Sequence, residues 1–226
     1  MMSPLQSLLP FTFLLHRGHQ KLLVVRPLLL RATNSWHKSI TTTKMTTKSK
    51  EEELCNAVKG AEEYFRSNND GPQPDSTATA TIQSDSPLVC KIESSTEGMA
   101  PIYTDMPKGI GGTGQYNTPG WHFRAALASC DATLLAIRAA RVGIQLDSIS
   151  VQVDSISDGR GMLLDDFPHI SPGSAGMKLV FKVASKTATK EQIEELVKWV
   201  EEHSPVGTDV MTAVNVKTEL EFAKTT

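Results

Sequence analysis

The chain has 226 residues, 39% of them hydrophobic and 21% charged, with 23 basic against 25 acidic side chains. That length suits one domain with a tail and is ample for a core. The first fifty residues hold eight Lys and Arg and no Asp or Glu, which leaves a net charge of −10 for 51–226; so acidic a body excludes a nucleic-acid module with a basic face.

Residues 1–48 read as a targeting leader: rich in Arg, rich in Ser and Thr toward their end, and free of acid, the composition of a mitochondrial transit peptide. Secretion fits less well, because no basic residue precedes the apolar run Leu8–Leu15. Translation from Met45 would skip the leader and give a cytoplasmic form. No apolar run is long enough to span a membrane, so the body is expected to be soluble. Residues 49–84 are expected to form an N-terminal helix, Lys50–Ser67, and a linker. Glu51–Glu53 begin the helix, where the macrodipole favours carboxylates, and Asn68-Asn-Asp-Gly-Pro-Gln-Pro ends it.

From residue 85 the pattern becomes denser. Leu88, Cys90 and Ile92 alternate with Lys91 and Glu93, the period of a half-buried strand, and Cys90 on the apolar side reads as core. Thr104–Pro119 reads as a flexible loop rich in Gly and Pro. Thr118 and Pro119 supply a cap and a first-turn proline for a helix that runs to Val142 and stops at Gly143. Its apolar stripe is expected at Phe123, Ala126, Leu127, Cys130, Thr133, Leu134 and Ile137. Strands follow at Ile149–Val153, Met177–Val183 and Val214–Phe222, each alternating apolar and polar residues. Between the last two, Thr189-Lys-Glu-Gln192 is a capping box; its helix buries Ile193, Leu196, Val197 and Val200, pairs Glu194 with Lys198 at i,i+4, and ends before Ser204-Pro205. Strands with one polar face pack helices on the other, and the fold class is α+β.

Three motifs bear on chemistry. Gly109-Ile-Gly111-Gly-Thr-Gly114 matches the dinucleotide fingerprint letter for letter. Such a site needs a strand ending at its first glycine and a helix opening near its last, whereas Asp105-Met-Pro107 precedes the motif and Pro119 delays the helix. No cofactor is assigned. His122, His169 and His203 have no metal-ligand spacing, the three cysteines (Cys55, Cys90, Cys130) contain no CxxC pair, and their odd number gives no disulfide framework; no metal is assigned. His122 stands eight residues before Cys130, about 12 Å along one helix at 1.5 Å per residue, too far to serve as its base. On pattern alone Cys130 is a core thiol. A reactive thiolate needs a nearby cation, base or helix N-terminus, and Arg124 and Arg138 are angularly offset from it. Composition and spacing leave both readings open.

Pro107-Lys-Gly-Ile-Gly-Gly-Thr-Gly, Thr118-Pro119, Arg124-Ala-Ala-Leu-Ala-Ser-Cys130 and the later His203-Ser204-Pro205-Val206 resemble the motifs of the OsmC/Ohr family over about residues 85–223. The resemblance implies an OsmC-like fold for 85–226, an antiparallel or mixed sheet packed around two long helices, in an intertwined homodimer. It also implies thiol-dependent reduction of organic hydroperoxides: Cys130 occupies the peroxidatic position, with an external thiol or a dihydrolipoyl group as reductant. Two positions depart from the pattern. Ser204 stands where the family has its second cysteine, and Gly120 and Trp121 stand where a glutamate follows the proline. Of the other cysteines, Cys90 reads as core and Cys55 lies outside the matched region; the family's arginine is not placed. Trp121, Phe123, Arg124 and Pro205 are candidate pocket residues. The alternative is a non-peroxidase dimer that binds a small apolar or acyl ligand at the subunit interface. Neither reading calls for nucleic acid or a membrane.

Overall fold

The computed structural model describes residues 47–69, 71–212 and 214–222; the expected leader lies outside the described residues up to residue 46. Helix α1 (Thr47–Ser67) opens three residues earlier than the sequence indicates. Glu51–Glu53 therefore sit beyond its first turn rather than at the start of the dipole. Two strands follow, β1 (Ala78–Gln83) and β2 (Ser86–Ser94), then a short β3 (Ile102–Thr104), all antiparallel in the order β1-β2-β3. The sequence pattern announces neither β1 nor β3. The Thr-Ala alternation of β1 has little apolar contrast, and β3 is only three residues long. Within β2 the buried residue is Val89, on the face opposite Leu88, Cys90 and Ile92, so Cys90 is only partly buried.

The Gly-rich loop is not flexible in the way its composition suggests. Asp105 is fully buried at its start, and both of its carboxylate oxygens accept hydrogen bonds. The donors are the Met106 N–H (2.7 Å), the Thr113 N–H and hydroxyl, and the Gln115 N–H (3.1 Å). Gly112 is required by this wrap, because a Cβ there would lie 1.8 Å from the Met106 carbonyl oxygen. The fingerprint glycines thus fold the chain around a carboxylate. The strand before them ends at Thr104, a single 3-10 turn spans Lys108–Ile110, and the next α-helix opens only at Pro119, which is not the geometry of a dinucleotide turn.

Helix α2 (Pro119–Val142) has the ends its sequence announces. Thr118 accepts from the Trp121 N–H at 3.2 Å, and Gly143 closes the helix at φ 73°. Its buried line is Leu127, Asp131, Leu135 and Ala139; of the expected stripe Leu127 lies on it, Cys130, Leu134 and Ile137 are half-buried, and Phe123, Ala126 and Thr133 are exposed. Strand β4 (Ser148–Ser157), a single helical turn α3 (Arg160–Leu163) and strand β5 (Ser174–Ala184) form a second, two-stranded antiparallel sheet, with Val151 opposite Phe181. Helix α4 (Lys190–His203) carries the complete capping box between Thr189 and Gln192. Its ion pair is Lys190–Glu194 (3.2 Å) rather than Glu194–Lys198. Ser204 ends α4 and caps an unexpected helix, α5 (Pro205–Met211). Val214–Phe222 has no strand partner, and its apolar residues face solvent.

The core lies where α4 crosses α2. Leu135, Ala139, Leu196 and Val200 are buried there, with Ile149, Phe181 and Val183 of the second sheet and Trp199 packed around them. Arg138 of α2 stacks over Trp199 at 5.0 Å, a cation–π contact that fixes the crossing. Helix α1 is tied to the far end of α2 by the Arg141–Glu62 ion pair at 2.5 Å. The class is α+β as expected, with both sheets antiparallel.

Candidate functional site

Cys130 stands midway along α2 and is half-buried. Its neighbour from the rest of the chain is Ser204, 74 residues on, whose hydroxyl lies 3.4 Å from Cys130 Sγ. The turn between α4 and α5 delivers that hydroxyl. Ser204 is 2% exposed, its Oγ accepts from the Gly207 N–H at 3.0 Å, and a Cβ on Gly207 would come within 2.9 Å of it. Next to the thiol on α2 is Asp131, 3% exposed, with its Oδ1 buried and without a hydrogen-bond partner. Burial pushes the Asp131 carboxyl up from the usual range, against the opposing effect of a hydrogen bond with Ser204. Sequence reasoning missed this carboxylate because a charged residue inside an amphipathic pattern reads as surface. The available signal was its position four residues after Leu127 and four before Leu135.

The other expected site residues divide. Phe123, seven residues before Cys130 and so on the same helical face, is exposed. Pro205 is exposed as the first residue of α5. Trp121 and Arg124 lie on another side of α2. There they line a cleft of about 650 Å³ against β4 with Ala128, Val151, Val153 and Asp154. Arg124 Nη1 donates to Ser155 Oγ at 3.0 Å, so its guanidinium is directed at β4. The structure therefore brings Cys130 and Ser204 together and sets Trp121 and Arg124 apart from them. All three cysteines are free thiols. Among the described residues no three His, Cys, Asp or Glu side chains converge as a metal set, and no helix is long and apolar enough to cross a membrane.

The family model described as OsmC-like protein matches residues 112–219. The chain carries an OsmC-like domain. That domain holds both Cys130 and Ser204, and it starts inside the Gly-rich loop. The crystal structure of an OsmC like protein from Mycoplasma pneumoniae superposes with a TM-score of 0.51 at 17% identity, over 63% of this chain and 91% of that one, and establishes the OsmC-like fold. An organic hydroperoxide resistance protein from Legionella pneumophila is 20% identical (TM-score 0.49; 65% and 96% covered). The organic hydroperoxide resistance protein OhrB of Bacillus subtilis is 23% identical (TM-score 0.42; 66% and 98% covered). No curated protein matches the chain.

Proposed function

We propose that this OsmC-like protein is a thiol peroxidase for organic hydroperoxides, with Cys130 as its nucleophile and a homodimer as its working form. The observation that carries the reading is the half-buried thiol at the motif's end, with a buried hydroxyl 3.4 Å from its sulfur where the family places a second cysteine. In the reaction the Cys130 thiolate attacks one peroxide oxygen and the O–O bond breaks. The sulfur becomes a sulfenic acid and the leaving alkoxide takes a proton. Ser204 has no thiol to condense with that sulfenic acid, so two equivalents of an external thiol, or one dihydrolipoyl group, reduce it to the thiol and water and leave as a disulfide. Phe123 and Pro205 remain candidates to shape the organic substrate's path, whereas Trp121 and Arg124 line the cleft against β4.

The test is to expose the full chain to cumene hydroperoxide with dimedone present and map the adduct by mass spectrometry. The adduct is expected on Cys130 and not on Cys55 or Cys90. Consumption should exceed that of free cysteine, by up to about thirty-fold at pH 7 from ionisation alone, because an unperturbed thiol is only a few per cent ionised there. Cys130→Ser should abolish it. A rate equal to free cysteine's removes the reading.

The Trp121–Arg124 cleft supports a second reading, in which the dimer holds a small apolar or acyl ligand whose polar end meets Arg124. Saturable quenching of Trp121 fluorescence by a medium-chain fatty acid, lost in Trp121→Phe, is its expected signature; a linear response removes it.

A further inference from the structure

The serine in the second cysteine's place is held more closely than a spectator would need. Ser204 is buried at the turn between α4 and α5. A serine hydroxyl has one proton to donate and two lone pairs to accept with. One lone pair takes the Gly207 N–H at 3.0 Å. Only glycine permits that approach, since a Cβ at 207 would stand 2.9 Å from Ser204 Cβ and Oγ. With its oxygen accepting there, the hydroxyl donates to the Cys130 sulfur at 3.4 Å. A thiol can either give or take a hydrogen bond with a hydroxyl, whereas a thiolate can only accept one. A donor fixed at this place therefore favours the ionised sulfur.

We propose that Ser204 is a catalytic residue whose hydroxyl keeps its proton and donates it as a hydrogen bond to the Cys130 thiolate, serving the sulfur without bonding to it covalently. The inference rests on the thiol-peroxidase reading for its purpose, and its test needs no peroxide. The hydroxyl acts in both halves of the cycle. Before attack it raises the share of thiolate. In the reductive half, one external thiol displaces the hydroxyl of the sulfenic acid, which gives water and a mixed disulfide. A second external thiolate then attacks the external sulfur, the S–S bond breaks, and Cys130 departs as a thiolate. The Ser204 hydroxyl stabilises that leaving group, and a less basic thiolate leaves faster. Most charged groups on the surrounding elements are engaged elsewhere or face solvent. Arg124 of α2 donates to Ser155 and Arg138 stacks over Trp199. Glu62 of α1 is held by Arg66 and Arg141, Asp154 of β4 by Gln152, and His203 of α4 meets the Trp199 carbonyl. Glu201, Glu202 and, on α5, Asp209 are exposed. Asp131, beside the thiol on α2, is the competing acceptor for the hydroxyl's proton, and its buried Oδ1 takes no hydrogen bond.

The experiment measures the pH profile of iodoacetamide alkylation in the full chain with Cys55 and Cys90 replaced by serine, so that Cys130 alone reports. Ser204→Ala removes both the hydroxyl and the cap of α5. Ser204→Gly removes the hydroxyl alone, because glycine caps a helix nearly as well as serine. Both variants are expected to raise the alkylation midpoint by about one unit, a roughly ten-fold smaller share of thiolate below it. Parent-like profiles in both would mean that the hydroxyl serves Asp131 instead, and would overturn the proposal. A shift in the alanine variant alone would mark a lost cap rather than a lost donor, and a shift in the glycine variant alone a loosened turn; either overturns it too. If the alanine variant does not fold, the glycine profile decides. Dimedone labelling that misses Cys130 while both midpoints rise would defeat the peroxidase reading alone. Labelling of Cys130 without those shifts would defeat the role of Ser204 alone.

Discussion

Two buried aspartates receive opposite treatment from the same fold. Asp105 is surrounded by donors, the Thr113 side chain first among them, and its carboxyl is held down at about 2 against an ordinary 3.8. Asp131 has a buried oxygen without a partner and is pushed up by burial. The consequences for stability have opposite signs. Asp105 contributes stability that is complete above its unfolded value near 3.8 and lost as pH falls toward about 2. Asp105→Asn should therefore lower the melting temperature at neutral pH, with the difference from the parent closing between pH 4 and pH 2. For Asp131 the ionised form is penalised in the folded state, so stability is lost as pH rises above 3.8 and through its raised folded value. Asp131→Asn should melt higher than the parent at neutral pH and coincide with it below about pH 4. Melting curves of the three proteins at pH 2, 4 and 7 check both signs; a uniform offset at every pH would show that charge is not the cause.

At the scale of elements, the crossing of α2 and α4 carries the body. Leu135 is fully buried in it, and Leu135→Ala should cost about 2–5 kcal/mol by denaturant unfolding; a cost under 1 kcal/mol would mean that the core lies elsewhere. The limits of these helices were legible because they rest on local chemistry: Thr118 with Pro119, Gly143, and the reciprocal bonds of Thr189 and Gln192. What faces what was less legible. Helix α2 is apolar on more than one side, so periodicity alone favours Phe123, Ala126 and Cys130 over the line that α4 covers. Helix α5 is not evident from the pattern, although Ser204-Pro205 repeats the cap-and-proline arrangement of Thr118-Pro119. At the site Cys130 and Ser204 were legible from motif resemblance. Asp131 was not, since nothing local says that a carboxylate will be buried.

For the whole molecule, the two sheets are separate and end in unpaired edges. Ile82, Ile102, Val216 and Phe222 are exposed, Phe222 at 88%, and among the described residues no helix packs broadly on the three-stranded sheet. Exposed apolar surface on this scale marks an association face, which supports the proposed homodimer. A Phe222→Asp variant, or removal of 214–226, should shift sedimentation from dimer to monomer and make the melting temperature independent of concentration; a parent that sediments as a monomer would refute the assembly. The import reading for residues 1–48 is likewise a proposal. Those residues fused to a fluorescent protein should carry it to mitochondria, whereas the chain begun at Met45 should stay in the cytoplasm. The contact between Cys130 and Ser204 bridges 74 residues, and so the thiol's surroundings come into being only with the finished tertiary fold. A chain still being made or translocated carries an ordinary cysteine. On the proposed reading, folding and the onset of thiol chemistry are therefore one event, because the hydroxyl beside Cys130 arrives only when α4 packs on α2.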